Sequence, residues 1–264
     1  MLSYDFMVRA FLASGGVAVV AGAVGYFLVL RAQTFAGHAL AHIAFAGATG
    51  AALIGVAPLY GVIALTVGAG AAMGLLGDRL SGRDVVIGVV LAVSLGFGLL
   101  FLSLTTTNAI RATSLLFGSV LAVAPSTLGA LAVLGVATLA GLGLISRPLL
   151  FSTLQPELAD GRGVSVRLVG TLFLMLVALA VAQSIQIVGV LLVFTLMVGP
   201  PAAAQLITNR LGAGIGLAAG LAVAQAWLGI TLAFYTDWPT SFWIATLSAA
   251  VYLAAVGIAR RRRG

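Results

Sequence analysis

The only two imidazoles in the chain, His38 and His42, lie four residues apart in the segment GHALAH. On a helix that spacing brings both side chains to one face, with β-carbons about 5–6 Å apart. Imidazoles so placed suit a borderline-soft divalent ion such as zinc. The zinc-protease pattern HExxH has the same spacing, but Ala39 stands where that pattern carries its general-base glutamate. The pair can therefore contact a metal but lacks the base for metal-assisted hydrolysis. The competing interpretation is that both are polar packing residues near a membrane boundary, or proton-sensing groups.

Two further stretches carry polar or chain-breaking residues. VGPPAAAQL places Pro200 and Pro201 inside an apolar run, where each removes a backbone hydrogen bond. A helix break there, with Thr195, Gln183, Gln186 and Gln205 nearby, would line a cavity, the setting in which broken helices persist at membrane depth; a simple kink or the end of a span is the equal alternative, because proline is common in transmembrane helices. The other is the longest polar segment, Arg147 to Arg167. Within it Pro156 followed by ELAD predicts a short helix opening at the proline and ended by Gly161 and Gly163. Such a helix is a natural docking element for a soluble partner.

The elements that position these residues are membrane spans. Of 264 residues 62% are hydrophobic and only 7% charged, against about 25% charged in soluble domains. A soluble globular enzyme is excluded. Each spanning helix needs about 20 apolar residues. The runs predict spans at Phe11–Leu30, His38 to before Pro58, Leu59–Gly77, Val85 to about Leu104, Thr127–Ser146, Leu168–Ala182, Ile187–Ile207, Leu211–Tyr235 and Ser241–Ala259. Thr105 to Pro125 is too broken to span and reads as a re-entrant or interfacial helix. The expected fold is an all-α polytopic membrane protein of eight or nine spans, forming one domain over residues 1–264. The pairs Gly70/Gly74 and Gly216/Gly220 have the spacing that lets helices approach closely.

What is missing also excludes functions. There is no cysteine, hence no disulfide or thiolate site, and no lysine, hence no P-loop for ATP. The six acidic residues, Asp5, Asp78, Asp84, Glu157, Asp160 and Asp237, all fall in predicted loops or helix ends. Proton-driven transporters commonly relay protons through intramembrane carboxylates. A self-sufficient proton-coupled metal transporter using the histidine pair is thus the weaker alternative. The net charge of +7 comes largely from Arg260 to Arg263 after an apolar stretch, which marks a cytoplasmic end and not a nucleic-acid surface. With nine spans, eleven arginines fall on that side and only Arg9 and Arg111 on the other, so the N-terminus is expected outside.

Four segments in order resemble one family. FLVLRAQTFAGHALAHIAFAG, LLFGSVLAV, LQPELADGRGV and VGVLLVFTLMVGPPAAAQLI are similar to elements of the permease subunits of bacterial zinc/manganese-type ATP-binding-cassette (ABC) importers. The resemblance covers nearly the whole chain. It implies the type II importer architecture shared with vitamin B12 and siderophore permeases, in the bacterial cytoplasmic membrane. It implies no catalytic activity and no permanently bound cofactor, the zinc or manganese ion being cargo held in transit. It also implies three partners besides the lipid bilayer: an ATP-binding subunit, an extracytoplasmic metal-binding protein and a second copy of the chain.

By position, the family's pathway histidine falls on His42, and its aspartate four residues earlier is His38 here. An imidazole in place of a hard carboxylate favours zinc over manganese. Phe151, Pro156, Glu157, Leu158, Ala159 and Gly163 fall on the family's coupling loop, here about residues 147–167, with Gln155 in place of its aspartate. Pro200 and Pro201 fall on its helix-breaking pathway region, with Thr195 beside them as a candidate polar contact. Leu40, Ile43 and Phe45, bulky residues on the histidine helix, are candidates for gating the path.

Overall fold

The computed structural model describes residues 4–76, 83–104, 118 and 125–261. Those residues form ten helices: α1 Asp5–Leu30, α2 Thr34–Leu53, α3 Pro58–Leu76, α4 Arg83–Leu104, α5 Pro125–Leu154, α6 Pro156–Gly161, α7 Val166–Val188, α8 Val190–Ile207, α9 Leu211–Thr236 and α10 Thr240–Arg261. Proline opens α3, α5 and α6, where its missing N–H has no intrahelical acceptor to lose. The re-entrant helix expected for Thr105–Pro125 lies outside the described residues, apart from Gly118 and Pro125.

Seven helices, α1, α3, α4, α5, α7, α9 and α10, are long and apolar enough to cross a membrane. The expected count of eight or nine is thus too high among the described residues: seven helices qualify, and the other two expected spans are the enclosed helices α2 and α8. Helix α2 carries both histidines and is mostly buried, and α8 is short. Both pack inside the bundle: α2 against α3, α4, α7 and α8, and α8 against α1, α9 and α10. At the centre, α1 touches α5, α7, α8 and α9, while α3, α4 and α10 turn most of their surface outward. An apolar outer surface of this kind is what lipid contact requires.

Small residues set the closest helix contacts. A β-carbon on Gly70 would come 2.7 Å from the Leu174 carbonyl oxygen, and one on Gly74 would strike Thr171, so this pair seats α3 on α7 within one copy. Gly216 and Gly220 instead face open space.

Helix α1 passes to α2 through a tight turn. The Gln33 N–H donates to the Leu28 carbonyl at 2.9 Å and the Ala32 N–H to the Val29 carbonyl at 3.0 Å. This is the Schellman pattern, with Ala32 at the left-handed position, φ 52. A left-handed conformation costs an L-residue about 1–2 kcal/mol, part of which glycine would recover. Ala32→Gly is therefore expected to stabilise the protein by about 0.5–1 kcal/mol, read as a higher thermal midpoint in detergent.

Three boundaries differ from expectation, each for a physical reason. Helix α7 does not stop at Ala182 but continues through Gln183, Ser184 and Gln186 to Val188. These residues look loop-like by type, yet the Ser184 hydroxyl is satisfied within the helix, donating to the Ala180 carbonyl at 2.6 Å. Helix α5 does not stop at Ser146 but passes Pro148 and runs on to Leu154, so part of the expected polar connector is helical.

Third, the helix is not interrupted at Pro200 and Pro201, which lie buried within continuous α8. The interruption falls eleven residues earlier at Gly189, whose φ of 77 and ψ of 166 no helix admits. The two prolines still withhold N–H donors from the carbonyls of Leu196 and Met197. Gly25 of α1 fits against the freed Met197 carbonyl and the Pro201 ring, filling the surroundings with packed backbone where an open break was expected. Gly118, φ 78, packs its backbone against Val188 and Gly189 at the α7–α8 interruption.

Two arginines join helix ends across the bundle. The Arg31 guanidinium at the end of α1 donates to Thr153 near the end of α5, and Arg167 at the start of α7 donates to the Leu75 carbonyl near the end of α3. These ends therefore share one side of the bundle.

Candidate metal pathway

Helix α2 presents His38 and His42 on one face, as an i, i+4 pair must. Their ring centres are 4.8 Å apart, with the rings edge to face at 82°. A ligating imidazole nitrogen sits about 2.0–2.1 Å from zinc, so rings this close reach a common ion with small side-chain rotations. Both histidines are half-buried, and the Nδ1 atom of each is buried without a hydrogen-bond partner. Buried polar atoms are rarely left unpaired. Two such atoms on adjacent rings are what a site awaiting a ligand presents.

Across from the pair stands Phe194 of α8, its ring centre 5.0 Å from that of His38 and inclined at 67°. Sequence reasoning passed over this residue. A phenylalanine in an apolar run gives no signal, and only the packing of α8 on α2 brings it to the imidazole. Thr195, its neighbour, is half-buried, and its carbonyl accepts a hydrogen bond from the Ser248 hydroxyl of α10 at 3.5 Å. Pro200 and Pro201 lie further along α8, Pro201 against Gly25 of α1.

The other polar candidates are dispersed. Gln205 donates from Nε2 to the Tyr26 carbonyl at 2.8 Å and ties α8 to α1. Gln183 is buried beside Gly135 of α5, with its Oε1 unpartnered. Leu40, Ile43 and Phe45, the bulky residues of the histidine helix, are all buried in the main core, so their bulk is spent on packing. Among the described residues no group of three or more His, Asp or Glu side chains comes together. Two imidazoles alone leave a tetrahedral ion's coordination incomplete.

At the end of the bundle shared by Arg31 and Arg167, α6 forms as its sequence predicts. Pro156 opens the helix, and Gly163, φ 79, closes it in a second Schellman turn, with the Val164 N–H donating to the Ala159 carbonyl at 3.0 Å. Ala159 is fully buried beneath the helix, while Pro156, Glu157 and Leu158 are exposed. The Arg162 guanidinium carbon lies 6.0 Å from the ring centre of Phe151 on α5 and steadies the turn from the other side. The result is a short, anchored helix that holds a leucine and a carboxylate out from the surface.

Known proteins resemble this chain over nearly its whole length. The chain is 28% identical over 256 residues to the manganese transport system membrane protein MntC of Halalkalibacterium halodurans, covering 97% of this chain and 88% of that protein. It is 29% identical to the chelated iron transport system membrane protein YfeC of Yersinia pestis, covering 96% and 86%. Its fold matches a chain of the solved structure "PsaBC from Streptococcus pneumoniae in complex with Fab" with a TM-score of 0.87 at 24% identity, covering 96% of this chain and 91% of the other. The all-helical architecture is thus that of an ABC importer permease. The family described as the ABC 3 transport family matches residues 3–259, and to that family this chain belongs.

Proposed function

We propose that the chain is the membrane permease subunit of an ABC importer that moves a divalent transition metal, preferentially zinc, into the cytoplasm. The reading is carried by one observation: two imidazoles packed edge to face, each with a buried and unpartnered Nδ1, on an enclosed helix of a transport-family bundle. His38 and His42 contact the ion in transit. An incomplete ligand set suits a permease, which must release what it binds. Water or the equivalent pair from a second copy would supply the remaining positions, and a pathway between two copies brings four imidazoles within one conduit.

The chain itself performs no chemistry on ATP, having no lysine for a P-loop. Hydrolysis falls to a separate ATP-binding subunit that docks on the anchored α6, with Leu158 and Glu157 as contacts and Phe151, Pro156, Ala159 and Gly163 shaping the helix. An extracytoplasmic metal-binding protein delivers the ion to the opposite face. The shared side of Arg31, Arg147, Arg162 and Arg167 is the cytoplasmic one, and the C-terminal arginines belong to it.

The relatives named above are described for manganese and chelated iron. The preference for zinc rests on the donor set, since imidazoles favour zinc over the harder manganese ion. The expected result is ATP-dependent uptake of radioactive zinc into vesicles carrying the permease with its ATPase and binding protein, with excess manganese competing at least about tenfold less well than excess zinc. Equal or better competition by manganese would remove the zinc assignment and keep the importer. Uptake without ATP would remove the importer.

A further inference from the structure

We infer that Arg31 is the positioning residue that transmits movement between the partner-docking helix α6 and the histidine-bearing helix α2. The inference rests on the importer reading, and its observations are contacts of one side chain. Arg31 occupies the Schellman turn between α1 and α2, three residues before α2 begins and seven before His38. Its Nη1 donates to the Thr153 hydroxyl oxygen at 2.7 Å and lies 3.4 Å from that of Ser152. Both hydroxyls belong to the last turn of α5, and α6 opens at Pro156.

The direction of these hydrogen bonds is fixed. Thr153 and Ser152 donate their own protons to the Leu149 carbonyl, at 2.5 and 3.0 Å. Their oxygens are left as acceptors aimed at a cation, and arginine has donors only. The guanidinium carbon also stands 5.8 Å from the ring centre of Phe173, and Nη2 packs against Gly170, both on α7. One side chain therefore binds the α1–α2 turn to α5 and α7, the two helices that flank α6.

The turn makes the connection stiff. Its two backbone hydrogen bonds leave no free residue between the end of α1 and Gln33, so a displacement of the Arg31 backbone is passed to the first turn of α2. An ATPase that pushes α6 moves the end of α5. Arg31 converts that displacement into a tilt of the helix bearing His38 and His42.

The test uses the assembled complex in lipid vesicles and reads metal ions moved per ATP hydrolysed. Arg31→Gln and Thr153→Val, which break the same contact from its two ends, are each expected to lower that ratio about tenfold, a size usual for coupling between sites. The double variant is expected to fall no further than the worse single one, because both remove one interaction. Arg31→Lys, which keeps a charged donor but loses the planar fork, is expected to recover part of the ratio. Co-purification of the ATPase should stay at the wild-type level in Thr153→Val.

A wild-type ratio in folded Thr153→Val overturns the inference, even if Arg31→Gln fails to fold. So does a loss of assembly that fully accounts for the loss of uptake, since a merely structural contact changes how much complex forms and not its ratio. If the wild-type complex hydrolyses ATP and moves no metal, the importer reading falls and this inference falls with it.

Discussion

With His38 and His42 both changed to alanine, ATP-driven metal uptake is expected to fall by more than about 100-fold, while expression, membrane insertion and recovery of the ATPase complex stay unchanged. Even an outer-shell partner of a metal ligand is commonly worth about 10–100-fold, and this variant removes both ligands of the proposed site. The two rings also pack edge to face on one another and on Phe194, so alanine leaves a void. His42→Gln, which keeps bulk and polarity but weakens metal ligation, separates the two effects. Transport lost in His42→Gln with normal assembly supports a ligand. Assembly lost in the alanine variants with transport kept in His42→Gln would make the pair a packing element and move the pathway elsewhere.

The second large effect concerns the seam between α1 and α8. Gly25→Ala is expected to destabilise the bundle by about 2–3 kcal/mol, the upper part of the range for overpacking. A β-carbon at Gly25 would overlap the Met197 carbonyl oxygen and approach Pro201 Cγ to 2.9 Å. The obstacle is backbone and a rigid ring, so no rotamer change relieves it and the helices must separate. Gly16→Ala, on the same helix with nothing within 4 Å, is the control. There alanine adds helix propensity of about 1 kcal/mol without a clash. Thermal unfolding in detergent should rank Gly16→Ala at or above wild type and Gly25→Ala well below it. Equal midpoints would mean that α1 and α8 are not held by this contact.

How much was legible in the sequence depended on whether a residue type has one physical meaning. Pro156 and Gly163 bracket α6 because proline fits a first turn and glycine a left-handed close. The GHALAH spacing set both imidazoles on one face because the helical period allows nothing else. Composition gave the membrane and the all-α class for the same reason. Residue types with two meanings were read less well. Gln183, Ser184 and Gln186 resemble a loop and are helix, with Gln183 and Ser184 buried, because a serine in a helix can return its proton to the preceding turn. Pro200 and Pro201 resemble a break and are packed over, because Gly25 covers the carbonyl they release. The actual interruption at Gly189 is one glycine among 34, and nothing local distinguishes it. Phe194 was invisible because its role depends wholly on which helix faces it.

Helix α2 is absent from the seven helices that could cross a bilayer on length and apolarity, yet it is walled in by α3, α4, α7 and α8. Biogenesis inherits a constraint from this. A nascent segment carrying two imidazoles has little tendency to leave the translocon for lipid unaided, since ionisable side chains are expensive in hydrocarbon. It must be held by α1 or carried in with α3 until α7 and α8, more than a hundred residues later in synthesis, close around it. The helix least able to enter the membrane by itself is thus one that the finished bundle encloses. The polar face proposed to bind the ion is tolerated in the finished bundle because neighbouring helices cover it.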